Sequence, residues 1–309
     1  MRFIKQVLKR GFRKLFEGGQ RFARIDILPH HFYSEIPDIS ELKRSHDWRK
    51  ERSMAGVRGA ETAAQLEFVR ECCPEALRQL IISENIYLKA CRENGQAGFG
   101  PIETDFLFCF MSVKRPKRVI QIGCGVSTAA MLLASERSKD ELEMICIDPF
   151  PTEFLKRAAE KGRIRLIAKG AQAISLETLT DLKGGDMLFV DSTHTVKPGS
   201  EVNRIIFEVL PRLNSGVYVH FHDIYFPFDY QRTVLSEELF FHNENSLLLA
   251  FLAQNSKYAI KASLSMLHYA MPEQLQELLP NYRPQENCLG LRSGNLDGHF
   301  PSSTYLMVS

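Results

Sequence analysis

Lys117-Arg-Val-Ile-Gln-Ile-Gly-Cys-Gly125 is the stretch on which the fold turns: an apolar run that ends in a glycine turn, followed by a helix-like segment from Thr128 to Ser135. An apolar strand, a tight turn and a helix form the opening of an α/β unit. The same alternation continues downstream. Glu143-Met-Ile-Cys-Ile-Asp-Pro149, Arg163-Ile-Arg-Leu-Ile-Ala168, Asp186-Met-Leu-Phe-Val-Asp191 and Gly216-Val-Tyr-Val-His-Phe-His-Asp223 read as strands. Helical stretches at 154–161, 176–182 and 200–213 separate them. The strands are continuously apolar rather than alternating, which predicts a parallel sheet covered on both faces. A longer helix over 238–255 and final strands at 258–262 and 287–292 complete the unit.

Upstream, Ile102 to Met111 forms a short apolar helix with Pro101 at its start. Gly95 to Pro101 is a glycine-rich turn, and 59–93 is helical, divided near Pro74. Residues 26–38 hold two prolines and an aromatic/His run, and read as an ordered extended loop. The N-terminal segment is different again. Phe3, Ile4, Val7, Leu8, Phe12, Leu15 and Phe16 fall on one face of a helix, which Gly18-Gly19 should end. The expected organisation is a basic amphipathic helix (1–24), a loop and helical cap (25–97), a cofactor-binding domain (98–292) and a C-terminal tail (293–309).

Composition narrows the function classes. The 309 residues are 44% hydrophobic and 25% charged, as in an ordinary globular protein, with no apolar run near the ~20 residues of a membrane span. The net charge of +2 hides an asymmetry: residues 1–24 carry +7 and the remainder −5. A mildly acidic body argues against a nucleic-acid footprint. The basic helix, with six Lys/Arg within residues 1–17, leaves two destinations open: an anionic membrane surface, or its own domain or a dimer mate. Seven cysteines without C-x-x-C spacing argue for a reducing, cytoplasmic setting, with peripheral membrane contact through 1–17 as the variant.

In an open α/β sheet, ligands bind beyond the carboxyl ends of the strands. Here those ends are polar. The first ends in Gly123, Cys124, Gly125, Ser127 and Thr128, the second in Asp148, the fourth in Asp191 with His194, and the fifth in His220, His222 and Asp223. A glycine turn at a helix N-terminus, followed by an acid 25 residues after Gly123, suits a nucleoside cofactor: amides face the ligand and the acid takes the ribose hydroxyls. Thr128 occupies the place where a dinucleotide fold wants Gly or Ala, and no second nucleotide-binding half follows. A mononucleoside cofactor therefore fits better than NAD, and a nicotinamide oxidoreductase is the weaker reading. Strict alternation would point His222 and Asp223 to opposite faces unless the strand ends there.

The segment 119–128 resembles the first motif of class I S-adenosylmethionine-dependent methyltransferases, and Ile147-Asp-Pro-Phe150 resembles their second. Residues 188–203 and 208–230 are similar to a bacterial branch of macrolide and sugar O-methyltransferases of the macrocin type, associated with polysaccharide and natural-product pathways. The resemblance covers 98–230 strongly and 231–292 loosely. It implies a Rossmann-like, doubly wound, mostly parallel seven-stranded sheet whose last strand is antiparallel, supplied by 287–292.

It also implies roles. Gly123, Cys124, Gly125 and Ser127 would line the methionine and ribose of S-adenosylmethionine, Asp148 would hold the ribose, and Gln172 and Ala173 would edge the adenine. Asp191 would sit beside the sulfonium, and Glu103 would reach the amino-acid end. Many members carry an acid where this chain has Gln121. Catechol-type relatives bind magnesium at positions matching Asp191 and roughly Asp223, but His222 stands where an oxygen ligand is expected. A divalent metal at Asp191 and Asp223, and direct positioning of the acceptor by His222 and Asp223, both stay open. His194 is the expected general base, with His222 its rival. The acceptor would be a hydroxyl of a sugar, polysaccharide precursor or glycosylated small molecule. A catalytically silent binding protein that keeps the fold is the remaining alternative.

Overall fold

A computed structural model describes residues 11–28, 30–45, 50–139, 141–229, 241–283 and 300–309. They fall into two units, Met1–Ser45 and His46–Ser309.

The larger unit is built on one seven-stranded sheet. In chain order its strands are β1 (Arg118–Ile122), β2 (Glu143–Ile147), β3 (Arg165–Ile167), β4 (Met187–Val190), β5 (Tyr218–Phe221), β6 (Tyr258–Ser263) and β7 (Thr304–Val308). Their spatial order is β3-β2-β1-β4-β5-β7-β6. β1 to β5 pair in parallel, and β7 runs antiparallel to both β5 and β6. The strand order reverses between β1 and β4, so the carboxyl ends of these two strands flank the crevice where ligands of open α/β sheets bind.

The apolar runs are continuous because each strand feeds two cores. On one face Val119, Met144, Cys146, Met187 and Phe189 pack with helices Thr62–Cys72, Pro101–Lys114 and Val126–Ser138. On the other Ile120, Ile122, Ile147, Leu188 and Val190 meet Leu179, Ile205, Val209 and Leu248. Alternate residues of one strand thus enter opposite cores, as the two-residue period requires.

Two expectations about chain organisation change. The antiparallel strand is Thr304–Val308, inserted between β5 and β6, whereas 287–292 lie outside the described residues. Its Thr304, Tyr305 and Leu306 are buried, so the expected tail contains a central strand. The helical segment 59–93 is three helices, Thr62–Cys72, Glu75–Glu84 and Ile86–Asn94, which pack on the body as part of the same unit rather than as a separate cap. Pro74 separates the first two, and Asn85, in the left-handed region, separates the second pair. Of the helix expected over 238–255, Glu244–Leu252 is described, and 231–240 lie outside the described residues.

In the smaller unit residues 11–18 are helical, and the turn continues through Gly19–Ala23 to end at Arg24, with φ 53°. Gly18-Gly19 therefore widens the helix instead of ending it. Phe12, Leu15 and Phe22 are exposed. Residues 1–10, which hold the rest of the apolar face, lie outside the described residues. Ile39–Arg44 forms a further helix, capped by the Asp38 carboxylate on the Glu41 N–H, directly after the stretch 26–38 read as loop. No described helix is long and apolar enough to cross a membrane.

Candidate active site

The turn after β1 touches the end of β4. Gly123 has φ +76°, and a Cβ there would lie 1.7 Å from the Asp191 carbonyl oxygen. Only glycine allows this approach. The turn is tied on its other side by Asp148, whose Oδ2 accepts from the Cys124 N–H at 3.0 Å and Oδ1 from the Phe150 N–H at 2.7 Å. Cys124, Gly125 and Asp148 are part-exposed, Ser127 is buried, and Phe150 beside them is 88% exposed.

Gln121 has a local task. Its amide donates to the Gly123 carbonyl at 2.9 Å and the Ser127 hydroxyl at 2.8 Å, and its Oε1 accepts from the Thr128 hydroxyl at 2.8 Å. An amide, being both donor and acceptor, closes this buried network; a carboxylate could not donate. Gln172 and Ala173 lie exposed on the short turn Ala171–Ala173 after β3.

Across the crevice, Asp191, His194, His222 and Asp223 converge. One donor atom from each lies within 4.8 Å of all the others. His194 Nε2 is 3.3 Å from Asp191 Oδ1 and 3.4 Å from Asp223 Oδ2. His222 Nδ1 is 3.4 Å and 3.6 Å from the same two oxygens. The backbone makes this possible: β5 ends at Phe221, and Asp223 (φ 54°) and His194 (φ 57°) both adopt left-handed conformations. The break in alternation turns His222 and Asp223 to the same side. Non-glycine residues held there cost on the order of 1–3 kcal/mol each and concentrate at functional sites.

The far nitrogens of both rings also meet carboxylates. His194 Nδ1 is 2.8 Å from Glu244 Oε2, and His222 Nε2 is 2.9 Å from Glu103 Oε2. Glu103 is fully buried; its other oxygen accepts from the Ser302 N–H and from the Ser302 and Ser303 hydroxyls. The side chain that the resemblance assigns to the amino-acid end of the cofactor is thus turned towards His222 and the start of β7. Tyr225 donates to Asp223 Oδ1 at 3.0 Å, and the Ser302 hydroxyl lies 3.1 Å from the same oxygen. His242 stacks at a tilt on His194, 5.0 Å between centroids.

The electrostatics follow from this packing. Burial works to raise the Asp191 carboxyl, but the charges and hydrogen bonds of His222 and His194 outweigh it and hold it well below the usual carboxylate range. Asp223 is lowered for the same reasons. Burial works to lower His194, but hydrogen bonds to Asp191 and Glu244, with the charge of Asp223, push it up to about 10. His222 is raised well above the usual imidazole value by Glu103, Asp223 and Asp191, against burial. As a bare cluster it therefore holds both rings protonated at neutral pH, and a protonated His194 has no lone pair to accept a proton.

His220 is a different case. It is fully buried in β5, stacked on Phe189 at 4.0 Å and bonded to the Ser303 hydroxyl at 2.9 Å. Burial, then the charge of His222, lower it to about 3, so it is a neutral core histidine. Sequence reasoning missed Glu244, Ser302, Ser303 and His242. Only distance in the fold connects them to the site; nothing in their local sequence signals it.

Residues 120–224 match the family model of a methyltransferase domain. The matched segment starts inside β1 and ends just beyond Asp223, so it contains the glycine turn, Asp148 and the whole four-residue cluster. An uncharacterised protein of Archaeoglobus fulgidus is 28% identical over 142 residues, which is 42% of this chain and 61% of that relative. Among solved structures, the SAH-bound methyltransferase PaMTH1 of Podospora anserina aligns over 92% of this chain and 99% of its own, at 15% identity and a TM-score of 0.41. The SAH complex of the plantazolicin methyltransferase BpumL aligns over 80% and 98%, at 14% identity and a TM-score of 0.39.

Proposed function

We propose that this chain transfers a methyl group from S-adenosylmethionine to a hydroxyl of a sugar, a polysaccharide precursor or a glycosylated small molecule. The observation that carries this reading is the meeting of two half-sites across the β1/β4 crevice. One is the glycine turn anchored by Asp148; the other is the acid–histidine cluster that begins at Asp191, whose carbonyl abuts Gly123.

The cofactor half fits a nucleoside. Each oxygen of Asp148 accepts one backbone N–H, and a carboxylate oxygen has a second lone pair for a ribose hydroxyl. The helix Val126–Ser138 begins at the turn, and its amide dipoles favour the carboxylate end of a methionine moiety. In this reading Gln172 and Ala173, exposed on the turn after β3, would edge the base. The acceptor half is polar and charged, which suits a hydroxyl-rich molecule better than an apolar one. The likeness of 188–230 to the macrocin-type branch points the same way.

The donor brings an already activated methyl group. The protein's share of the work is to align the acceptor oxygen with that group and give its proton a destination. The carboxylates of Asp191 and Asp223, the part-exposed members of the cluster, are the groups open to receive it. Incubation with methyl-labelled donor and fractionated cell-extract glycans, read by mass spectrometry, tests the reading. Label on a glycan hydroxyl is expected. Tight donor binding with no labelled product under any acceptor would leave a silent binding protein instead.

A further inference from the structure

We propose that Asp191, His194, His222 and Asp223 form a centre for a zinc-class transition-metal dication, with Glu103 and Glu244 as the outer carboxylates that orient the two imidazoles. The inference rests on the methyl-transfer reading for the purpose of the centre, though not for its existence.

Four donor atoms form a closed circuit: Asp191 Oδ1, His194 Nε2, Asp223 Oδ2 and His222 Nδ1, with edges of 3.3, 3.4, 3.6 and 3.4 Å. A point equally far from four atoms so spaced lies roughly 2.1–2.4 Å from each, close to the ~2.0–2.2 Å of zinc bonds to imidazole and carboxylate. Within the circuit each imidazole nitrogen faces two carboxylate oxygens.

The outer contacts decide what the inner nitrogens can do. Each ring has a carboxylate on its far nitrogen, Glu244 on His194 and Glu103 on His222. A neutral imidazole carries one N–H only. With that hydrogen given outward, each inner nitrogen presents a lone pair to the oxygens of Asp191 and Asp223, and something positive must stand between them. Two protons could serve, and four carboxylates against two imidazolium rings leave a formal charge of −2 in a largely buried cluster. A dication at the centre, with both rings neutral, leaves the same total and satisfies every inner lone pair at once. Carboxylate–histidine–metal chains of this kind are the usual support of histidine-ligated metals.

The donor set also selects the ion. Magnesium, which the resemblance implies, prefers six oxygens and retains water; two of the four donors here are nitrogen. Imidazole with carboxylate suits zinc and its neighbours. Asp191 and Asp223 are the part-exposed members, with side chains 29% and 23% accessible, so the centre is open on the crevice side, as a catalytic rather than a structural site requires. His194 and His222 are then ligands rather than free bases.

The test uses the full chain, stripped with chelator and then titrated calorimetrically with Zn²⁺, Co²⁺ and Mg²⁺. One equivalent of Zn²⁺ should bind, Co²⁺ should give the intense visible absorption of a low-coordinate nitrogen-ligated site, and millimolar Mg²⁺ should displace neither. His222→Ala should abolish the Co²⁺ spectrum. Glu244→Gln, which keeps shape and polarity, should weaken Zn²⁺ by roughly 10–100-fold, the range for an outer-shell partner, with an unchanged melting curve of the stripped protein. Absence of Zn²⁺ binding by the wild type, binding of Mg²⁺ as tight as Zn²⁺, or a Zn²⁺ affinity unmoved in Glu244→Gln would overturn the proposal. S-adenosylhomocysteine titrated into the same samples keeps the two readings apart. Cofactor binding without Zn²⁺ binding would sink the metal centre alone, and Zn²⁺ binding without cofactor binding would sink the methyl-transfer reading alone.

Discussion

Gly123→Ala is the most informative single change, because two costs with separate origins meet there. Gly123 has φ +76°, a conformation that costs an L-residue about 1–2 kcal/mol. The added Cβ would also lie 1.7 Å from the Asp191 carbonyl oxygen and 2.8 Å from its carbonyl carbon. Both are backbone atoms, so no side chain can swing away, and forced overpacking of this kind adds roughly 1–3 kcal/mol. The expected loss is therefore about 2–5 kcal/mol, within the ~5–15 kcal/mol that a domain possesses. Gly185 provides the control: its φ is +92°, but a Cβ there meets nothing within 4 Å. Gly185→Ala should lose only the backbone cost of about 1–2 kcal/mol. Urea unfolding of both variants measures the difference. The variant that still folds should also show weakened S-adenosylhomocysteine binding, since relief of the clash moves the turn away from Asp191. Equal destabilisation by the two substitutions would refute the close approach of the β1 turn to β4, and with it the juxtaposition on which the functional reading stands.

Asp105 gives a pH-dependent prediction. It is buried in the helix Pro101–Lys114; its Oδ2 accepts from Asn281 at 2.7 Å, its Oδ1 has no partner among the described residues, and burial raises its carboxyl to about 7. That lies above the unfolded value of roughly 3.9, so between these pH values the folded state binds more protons and stability falls as pH rises. Asp105→Asn should therefore be more stabilising at pH 8 than at pH 5 by about 2–3 kcal/mol in urea unfolding; an equal effect at both would remove the ionisation from the account. At the N-terminus, the exposed Phe12, Leu15 and Phe22 and the basic charge of 1–24 predict that the full chain floats with anionic vesicles. Deletion of 1–24 should return it to the soluble fraction, and equal recovery of both forms would assign the helix to a protein surface.

Much of the fold was legible because β1, β2, β4 and β5 are short, mostly apolar runs, each followed by a polar or glycine residue. The order of the glycine turn, Asp148 and Asp191 along the chain already implied their convergence at one sheet edge. What escaped was set by long-range pairing. Thr304–Val308 is five residues at the end of a polar stretch, and only its place between β5 and β6 makes it a core strand. The local break at Asp223 was equally hidden: period-two alternation is the default, and the left-handed turn that overrides it is stabilised by contacts with Tyr225 and Ser302. Glu103 and Glu244 carried no motif, and their significance comes from facing His222 and His194 across 119 and 50 residues of sequence.

The central claim is that the crevice between β1 and β4 binds S-adenosylmethionine through the turn that Asp148 holds. Isothermal titration of S-adenosylhomocysteine into the wild type and Asp148→Ala tests it directly, with NAD as the competing ligand. One site for S-adenosylhomocysteine, no heat with NAD, and an affinity lowered by about 1.5–3 kcal/mol in Asp148→Ala are the results expected for loss of a charge-assisted hydrogen bond. Binding of NAD in place of S-adenosylhomocysteine, or a dissociation constant untouched by Asp148→Ala, would contradict the account.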